Sequence, residues 1–299
     1  MTKVLVDFSQ AVISACAVQA NELKSQDNIK DLVKHIALNM ILSWKKKFNG
    51  KMILACDSKY YWRKQEFPYY KGHRKHKRKD DGFLPWETIF ETINELKQEL
   101  KENFPYTLLE VDGAEADDII AVLCKYFQEN ELIQTGLIEE PEDIVIISTD
   151  GDFGQLQKYS NVRQWNNVQK KFIKCTNAKA FLNEHIMLGD SGDNVPSVTT
   201  GTKWAEDRAN NISVRATPLK SSRHTDFINN GIEACISEDE RKNWLRNQML
   251  VDFSKIPDDI NNKIIAEYED YIKQGGKAKI FNYLTRHKMK LLLGSVEDF

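Results

Sequence analysis

Residues 145–156 read VIISTDGDFGQL, an apolar run that ends in Asp150 and Asp152, one residue apart. A single carboxylate in that place closes a turn or caps a helix. Two so close repel unless a cation sits between them. Three other apolar runs end in the same way. Asp7 lies at the end of VLVDF, Asp57 follows MILAC, and YTLLEV runs into DGAEADD, which holds Glu115, Asp117 and Asp118. GDSGDN at 189–194 adds Asp190 and Asp193. Glu115 and Asp118 are three apart and share a helical face; Asp190 and Asp193 repeat the spacing. Taken alone, each piece is ordinary: a strand-end aspartate is usually a turn or cap, and GAEADD reads as an acidic first helical turn stabilised by the helix dipole. Together they deliver acids from four strands to one edge of a sheet, where open α/β folds build their sites. No histidine lies in these motifs, and no C-x-x-C pair occurs. Hard oxygen ligands favour Mg²⁺ or Mn²⁺ over Zn²⁺. Two such ions can hold a phosphodiester, one lowering the pKa of the attacking water and the other assisting the leaving oxygen.

A basic stretch supplies the counterpart. From Lys59 to Lys79 there are nine Lys/Arg against one acid, Glu66. Tyr60, Tyr61, Trp62, Tyr69 and Tyr70 are interleaved with the charges. Aromatics stack on bases while Lys and Arg hold phosphates; the plain alternative is a solvated basic surface. Phe67 is expected to pack inward.

The elements that must position these groups follow from periodicity. Residues 3–8 and 52–56 read as buried strands, with further strands near 106–111 and at 144–148. Between the first two, Ile29, Leu32, Val33, Ile36, Ala37, Met40, Ile41 and Trp44 fall on one helical face, with Asp27 as a possible cap. Pro85 opens a helix carrying Ile89, Phe90, Ile93, Leu96 and Leu100, and another helix spans about 115–127. This alternation predicts an α/β fold, a mostly parallel central sheet with helices on both faces. The α/β region is expected over 1–175, including a basic arch or loop at 59–84. Residues 176–299 are expected to be mainly helical, with a loose segment near 190–225.

Of 299 residues, 41% are apolar and 29% charged, enough for a sizeable core under a well-solvated surface. The five cysteines are scattered singly, which suits a reducing compartment. The first residues lack a signal peptide's apolar core and no run reaches membrane-spanning length, so a soluble intracellular protein with no membrane role is expected.

The motifs VDFSQ (6–10), YYWRK (60–64), YYKGHR (69–74), EADD (115–118), STDGDF (148–153), GDSGDN (189–194) and SVEDF (295–299) resemble those of the 5′-nuclease family, the flap endonuclease and 5′→3′ exonuclease group. Within it, they are most similar to the phage ribonucleases H. The resemblance covers nearly the whole chain. It implies a PIN-like core and a divalent-metal-dependent nuclease using two Mg²⁺, with Mn²⁺ as a substitute. Substrates would be RNA–DNA hybrids, nicked or gapped duplexes and 5′ flaps or forks, and the role would be primer removal from lagging-strand fragments in the host cytoplasm. Asp7, Asp57, Asp117 and Asp150 match the family's first metal group, with Glu115 and Asp118 beside it. Asp152, Asp190 and Asp193 match the second. Arg63, Lys71 and Arg74 match the arch residues, the last two nearest the scissile phosphate. The resemblance also implies a monomer that docks the phage single-stranded-DNA-binding protein through its C-terminal region. One departure stands out. The family's glycine-rich helix–three-turn–helix continuation, which binds a monovalent cation, is replaced by VPSVTTGTKWAEDR, where only Gly201 and Lys203 echo it. Lys220, Arg223 and the Lys273–Lys290 region are the expected substitutes for backbone grip.

Two other readings compete. A PIN-type ribonuclease acting on RNA alone would be near half this length and lack the arch. A structure-specific binding protein without chemistry would carry Asn, Ala or Lys at one or more acid positions, yet all nine acids are present.

Overall fold

The computed structural model describes residues 2–25, 28–80, 84–135 and 138–299. Its centre is a six-stranded sheet of β1 (Lys3–Asp7), β2 (Lys51–Ala55), β3 (Thr107–Leu109), β6 (Ile144–Ile147), β7 (Val162–Asn166) and β8 (Lys171–Ile173). The remaining strands, β4 (Leu132–Thr135) and β5 (Ile138–Pro141), form a separate exposed hairpin. The order is β3-β2-β1-β6-β7-β8, all parallel except β8. The chain thus steps outward from β1 through β2 to β3, then returns to the other side of β1. That reversal places a topological switch between β1 and β6, and a crevice opens beyond their carboxyl ends. Asp7 and the turn holding Asp150 occupy those ends.

The central strands are apolar because both faces are covered. Val4 and Val6 face one core, built with the helices Ile29–Phe48 and Trp86–Asn103. Leu5 faces the other, with the helices Ala116–Glu129 and Asp258–Glu269. The helix Ile29–Phe48 is capped by Asn28, whose side chain accepts from the Asp31 N–H at 3.2 Å, and it stops at Asn49 in the left-handed region (φ 43°). Asp27, the expected cap, lies outside the described residues. The helix Ala116–Glu129 begins in a reciprocal capping box between Glu115 and Asp118.

The chain after 175 divides between two places. Ile186, Met187, Val195, Val198, Phe227 and Trp244 form a third core, into which Phe67 and Tyr70 of the basic stretch also insert. From about 256 onward the chain returns to the sheet. Ile280, Tyr283 and Leu284 of the helix Lys277–Arg286 complete the first core, and the terminal Phe299 packs edge-on against Phe104 at 5.4 Å between ring centres. The amphipathic C-terminal helix therefore closes the core. Phe281 and Leu291 remain on the surface, Leu291 at 85% exposure.

The basic stretch is not a loop. It forms two short helices, Trp62–Glu66 and Arg74–Asp80, joined by turns. Of its interleaved aromatics only Tyr60 is exposed, at 64%. Trp62 and Tyr70 are buried, and Tyr61 and Tyr69 pack against the third core. The expected stacking platform is therefore corrected: these rings fasten the arch to the body, because burying a Trp or Tyr side chain yields more free energy than a surface position.

Candidate metal and nucleic-acid site

Asp7, Asp57, Asp117 and Asp150 converge at the switch point, each from a separate element. Local hydrogen bonds hold them. The Asp7 carboxylate accepts from the Gln10 N–H (3.3 Å) and the Ser148 hydroxyl (3.2 Å), tying the end of β1 to that of β6. Asp57 Oδ1 accepts from the Ala116 N–H at 3.0 Å, at the N-terminus of the helix that carries Asp117. Asp150 Oδ1 accepts from the Asp152 N–H (3.0 Å), while the Gln164 side chain donates to the Asp150 carbonyl (2.5 Å). Asp57 and Asp150 each keep one carboxylate oxygen outside these bonds, and the Asp7 oxygens, each accepting one bond, keep a further lone pair for a cation.

The acids pay for their proximity. Burial, then the charges of Asp57 and Asp150, push Asp7 up to about 8. Burial and the Asp150 and Asp7 charges hold Asp117 well above the usual carboxylate range. Asp150 rises to about 6, through burial and then Asp152. Clustered anions with this mutual penalty, offset in part by Lys71, are what a divalent ion relieves. Their all-carboxylate donor chemistry suits a hard divalent ion.

A second group flanks them. Asp190 and Asp193 project from a tight loop entered through Gly189, at φ +67°, where a Cβ would meet the Val195 carbonyl at 2.4 Å. Asp193 is already engaged: Tyr70 donates to it at 2.6 Å, Arg74 pairs with it, and Lys71 Nζ lies 3.6 Å away. Burial works against its charge, but Lys71 and Arg74 hold it below the usual carboxylate range. Lys71 also donates to Glu115 at 2.5 Å, and its backbone sits in the left-handed region (φ 56°), pinned by an N–H···O bond to Asp193 at 2.8 Å. Non-glycine residues held in this way cluster at functional sites.

Arg63 is 2% exposed and its guanidinium makes three polar contacts through Nε and Nη1. It reaches Glu115 at 2.9 Å, Asp118 at 2.7 Å and the Leu250 carbonyl at 2.6 Å. Asp118 accepts in addition from the Trp62 indole N–H at 3.1 Å. Beside the acid rim a groove of about 1200 Å³ runs between Asp57 and the arch, lined in part by Lys59, His73, Arg74, Lys77, Arg78 and Trp86.

Comparison with known proteins decides the family. A family model described as 5′-3′ exonuclease, N-terminal resolvase-like domain matches residues 2–185, and one described as T4 RNase H, C terminal matches residues 178–299. The chain is 33% identical to the ribonuclease H of Enterobacteria phage T4 over 306 residues, covering 99% of this chain and 95% of that protein. This chain belongs to the 5′-3′ exonuclease family. Solved structures of the phage T5 5′-exonuclease share the fold. One with bound zinc ions has a TM-score of 0.62 at 17% identity, covering 90% of this chain and 99% of that one. A variant of the T5 flap endonuclease, in a pseudo-enzyme–product complex with DNA and metal ions, gives 0.62 at 18% identity, covering 90% and 98%.

In this 5′-nuclease chain three site residues stand differently from the expectation. Arg63 is not presented to solvent beside Lys71 and Arg74; it neutralises Glu115 and Asp118, because two carboxylates buried that deeply require a cation. Asp193 already pairs with the cations of the arch, and its charge also reaches Asp150 and Asp190. Arg223, expected to grip the duplex, forms a two-pronged pair with Glu240 (2.6 and 2.9 Å). One residue was missed altogether. His185, on the helix Ala178–Leu188, places Nε2 2.9 Å from Asp152 Oδ1. Burial opposes its charged form, but the Asp152 contact lifts it to about 9. The only sequence signal was its position shortly before GDSGDN on a helix. Among the described residues no helix is long and apolar enough to cross a membrane.

The raised Asp7 carries a stability consequence. Its folded value of about 8 exceeds its ordinary 3.8, so the metal-free fold takes up a proton that the unfolded chain releases. The stability contributed by this group is complete below about 3.8 and is lost as pH rises to about 8. Asp7→Asn stays neutral throughout. At pH 7 without metal it should melt above wild type by roughly 4–8 °C, corresponding to about 2–4 kcal/mol. Melting curves with chelator at pH 5 and pH 7 check this; the gain should be small at pH 5 and should shrink with saturating Mg²⁺.

Proposed function

We propose that this chain is a divalent-metal-dependent 5′→3′ nuclease that hydrolyses phosphodiester bonds in RNA–DNA hybrids, nicked or gapped duplexes and 5′ flaps or forks. Its replication role would be removal of RNA primers from lagging-strand fragments in the host cytoplasm. The observation that carries this reading is the convergence of Asp7, Asp57, Asp117 and Asp150 at the switch point, with Asp7 and Asp117 pushed up by burial and by the charges of the group, and Asp150 by burial and Asp152. These four would hold one Mg²⁺; Asp152 and Asp190 would hold the second. When bound, the ions supply an activated water and charge stabilisation at the phosphate. Everything else is done by the chain. Lys71 and Arg74 stand at the junction of the two acid groups, paired with Glu115 and Asp193 until a phosphate competes for them. They would orient the reacting phosphate and offset its charge. Glu115 and Asp118 act through Arg63, fixing the base of the arch. Lys59, Lys77 and Arg78 along the groove would hold the strand by its backbone. The protein would work as a monomer.

Lys71→Ala should slow single-turnover cleavage by about 10–100-fold while weakening binding only a few-fold. Lys77→Ala should instead lower affinity and reduce its salt dependence, with the bond-breaking rate near wild type. Equal, salt-dependent affinity losses in both would reduce the arch to an electrostatic surface. A panel of hybrid, nicked duplex, flap and plain single strand, each with Mg²⁺, tests the substrate class. Cleavage should depend on a 5′ end at a duplex junction, and equal cutting of plain single strands would overturn the assignment. The C-terminal surface bearing Phe281 and Leu291 would dock the phage single-stranded-DNA-binding protein, which covers the template ahead of the nuclease and would raise local concentration.

A further inference from the structure

The second metal group holds a donor that no motif assigned. Ligand atoms of Asp152, His185 and Asp190 all lie within 4.8 Å of one another. Ligands at about 2.0–2.2 Å from one ion stand about 3 Å apart when adjacent and about 4.4 Å apart when opposite, so the trio has the size of a site that one ion could draw together. On binding, an ion would displace to solvent the proton that His185 Nε2 shares with Asp152, and the imidazole is aimed rather than free to swing. Its ring stacks on Phe181 at 6.0 Å between centres and 14° between planes. Phe181 in turn lies over Gly154, where an ideal Cβ would meet the ring at 3.2 Å. Asp190 spends one oxygen on the Gly192 N–H (2.6 Å) and keeps the other. Asp193, the loop's other acid, is engaged by Tyr70, Lys71 and Arg74.

We infer that His185 replaces Asp193 as a direct ligand of the second ion, giving that site a mixed nitrogen and oxygen donor set that favours Mn²⁺ over Mg²⁺. The inference rests on the two-ion reading of the site. Imidazole suits the transition metals, whereas Mg²⁺ prefers oxygen and its own waters. The first site, all carboxylate, has no such bias. The two ions would therefore differ in selectivity within one active centre, and Mn²⁺ would enter the second position first.

Electron spin-echo spectroscopy of the full-length protein loaded with Mn²⁺ reads this directly, because a ligating imidazole adds a ¹⁴N coupling. The coupling is expected in wild type and absent in both His185→Gln and His185→Asn. Competition of Mg²⁺ against Mn²⁺, followed by the free-Mn²⁺ signal, should show the second-site preference for Mn²⁺ falling about 10–100-fold in the variants. Mn²⁺ bound without nitrogen coupling in wild type overturns the inference, as does coupling that persists in the variants. Failure of Mn²⁺ to bind at all would overturn the two-ion reading itself.

Discussion

Asp150→Asn is expected to abolish cleavage, by at least about 100-fold, while leaving the protein folded and bound to its substrate. The substitution keeps the side chain's volume but removes an anionic ligand at the switch point. A misplaced ion forfeits stabilisation of charge that develops only in the transition state, so the loss falls on the chemical step. Binding should hold or improve. Asp150 is pushed up to about 6 by burial and by Asp152, and its charge repels a polyanion. The Asn side chain can still accept from the Asp152 N–H, so the turn at 150–152 survives. Turnover in Mg²⁺ and affinity in the absence of divalent ions must be measured separately. Near wild-type cleavage by the variant would remove Asp150 from the site.

Arg63→Met is expected to cost about 3–5 kcal/mol of stability, lowering the melting temperature by roughly 10 °C. The cause lies in what remains behind. Glu115 and Asp118 are 2% and 0% exposed, and Asp118 loses the only cation paired with it among the described residues. Lys71 still reaches Glu115, but that cation would then be withdrawn from the reacting phosphate. Adding Glu115→Gln and Asp118→Asn to Arg63→Met should recover much of the stability without restoring activity. Melting curves on the single and triple variants settle the matter. A single variant that melts within about 2 °C of wild type would show that the buried pair is not needed to hold the arch.

The sheet and its acid rim were legible because both obey local rules. Buried parallel strands read as continuous apolar runs, and VLVDF, MILAC and VIIS are such runs with an acid at the carboxyl end. The helices at 29–48, 86–103 and 116–129 carry long one-sided apolar patterns. What stayed hidden depends on contacts between distant residues. Strands β4, β5 and β8 are short or exposed, so they have no apolar run to announce them. The arch aromatics alternate with lysines in the same way whether they face bases or a core. Tyr61, Tyr69 and Tyr70 pack on the third core, assembled mostly from residues 186–251, while Trp62 joins the second. Arg63 and Lys71 both read as phosphate contacts, and only the fold shows that one is enclosed while the other stands at the rim. His185 belongs to no acid motif, and its partner Asp152 lies on the far side of two strands in sequence.

The central claim, that the rim of acids makes a metal-dependent nuclease acting from the 5′ end, is tested most directly by one time course. A nicked RNA–DNA hybrid carries a label on the 5′ end of the nicked strand in one sample and on its 3′ end in another, each followed with Mg²⁺ and with excess chelator. The expected result is early release of the 5′ label in short products, with the 3′ label retained on a strand that shortens progressively and no cleavage under chelator. Early release of the 3′ label, or cleavage that persists without divalent ions, would contradict it.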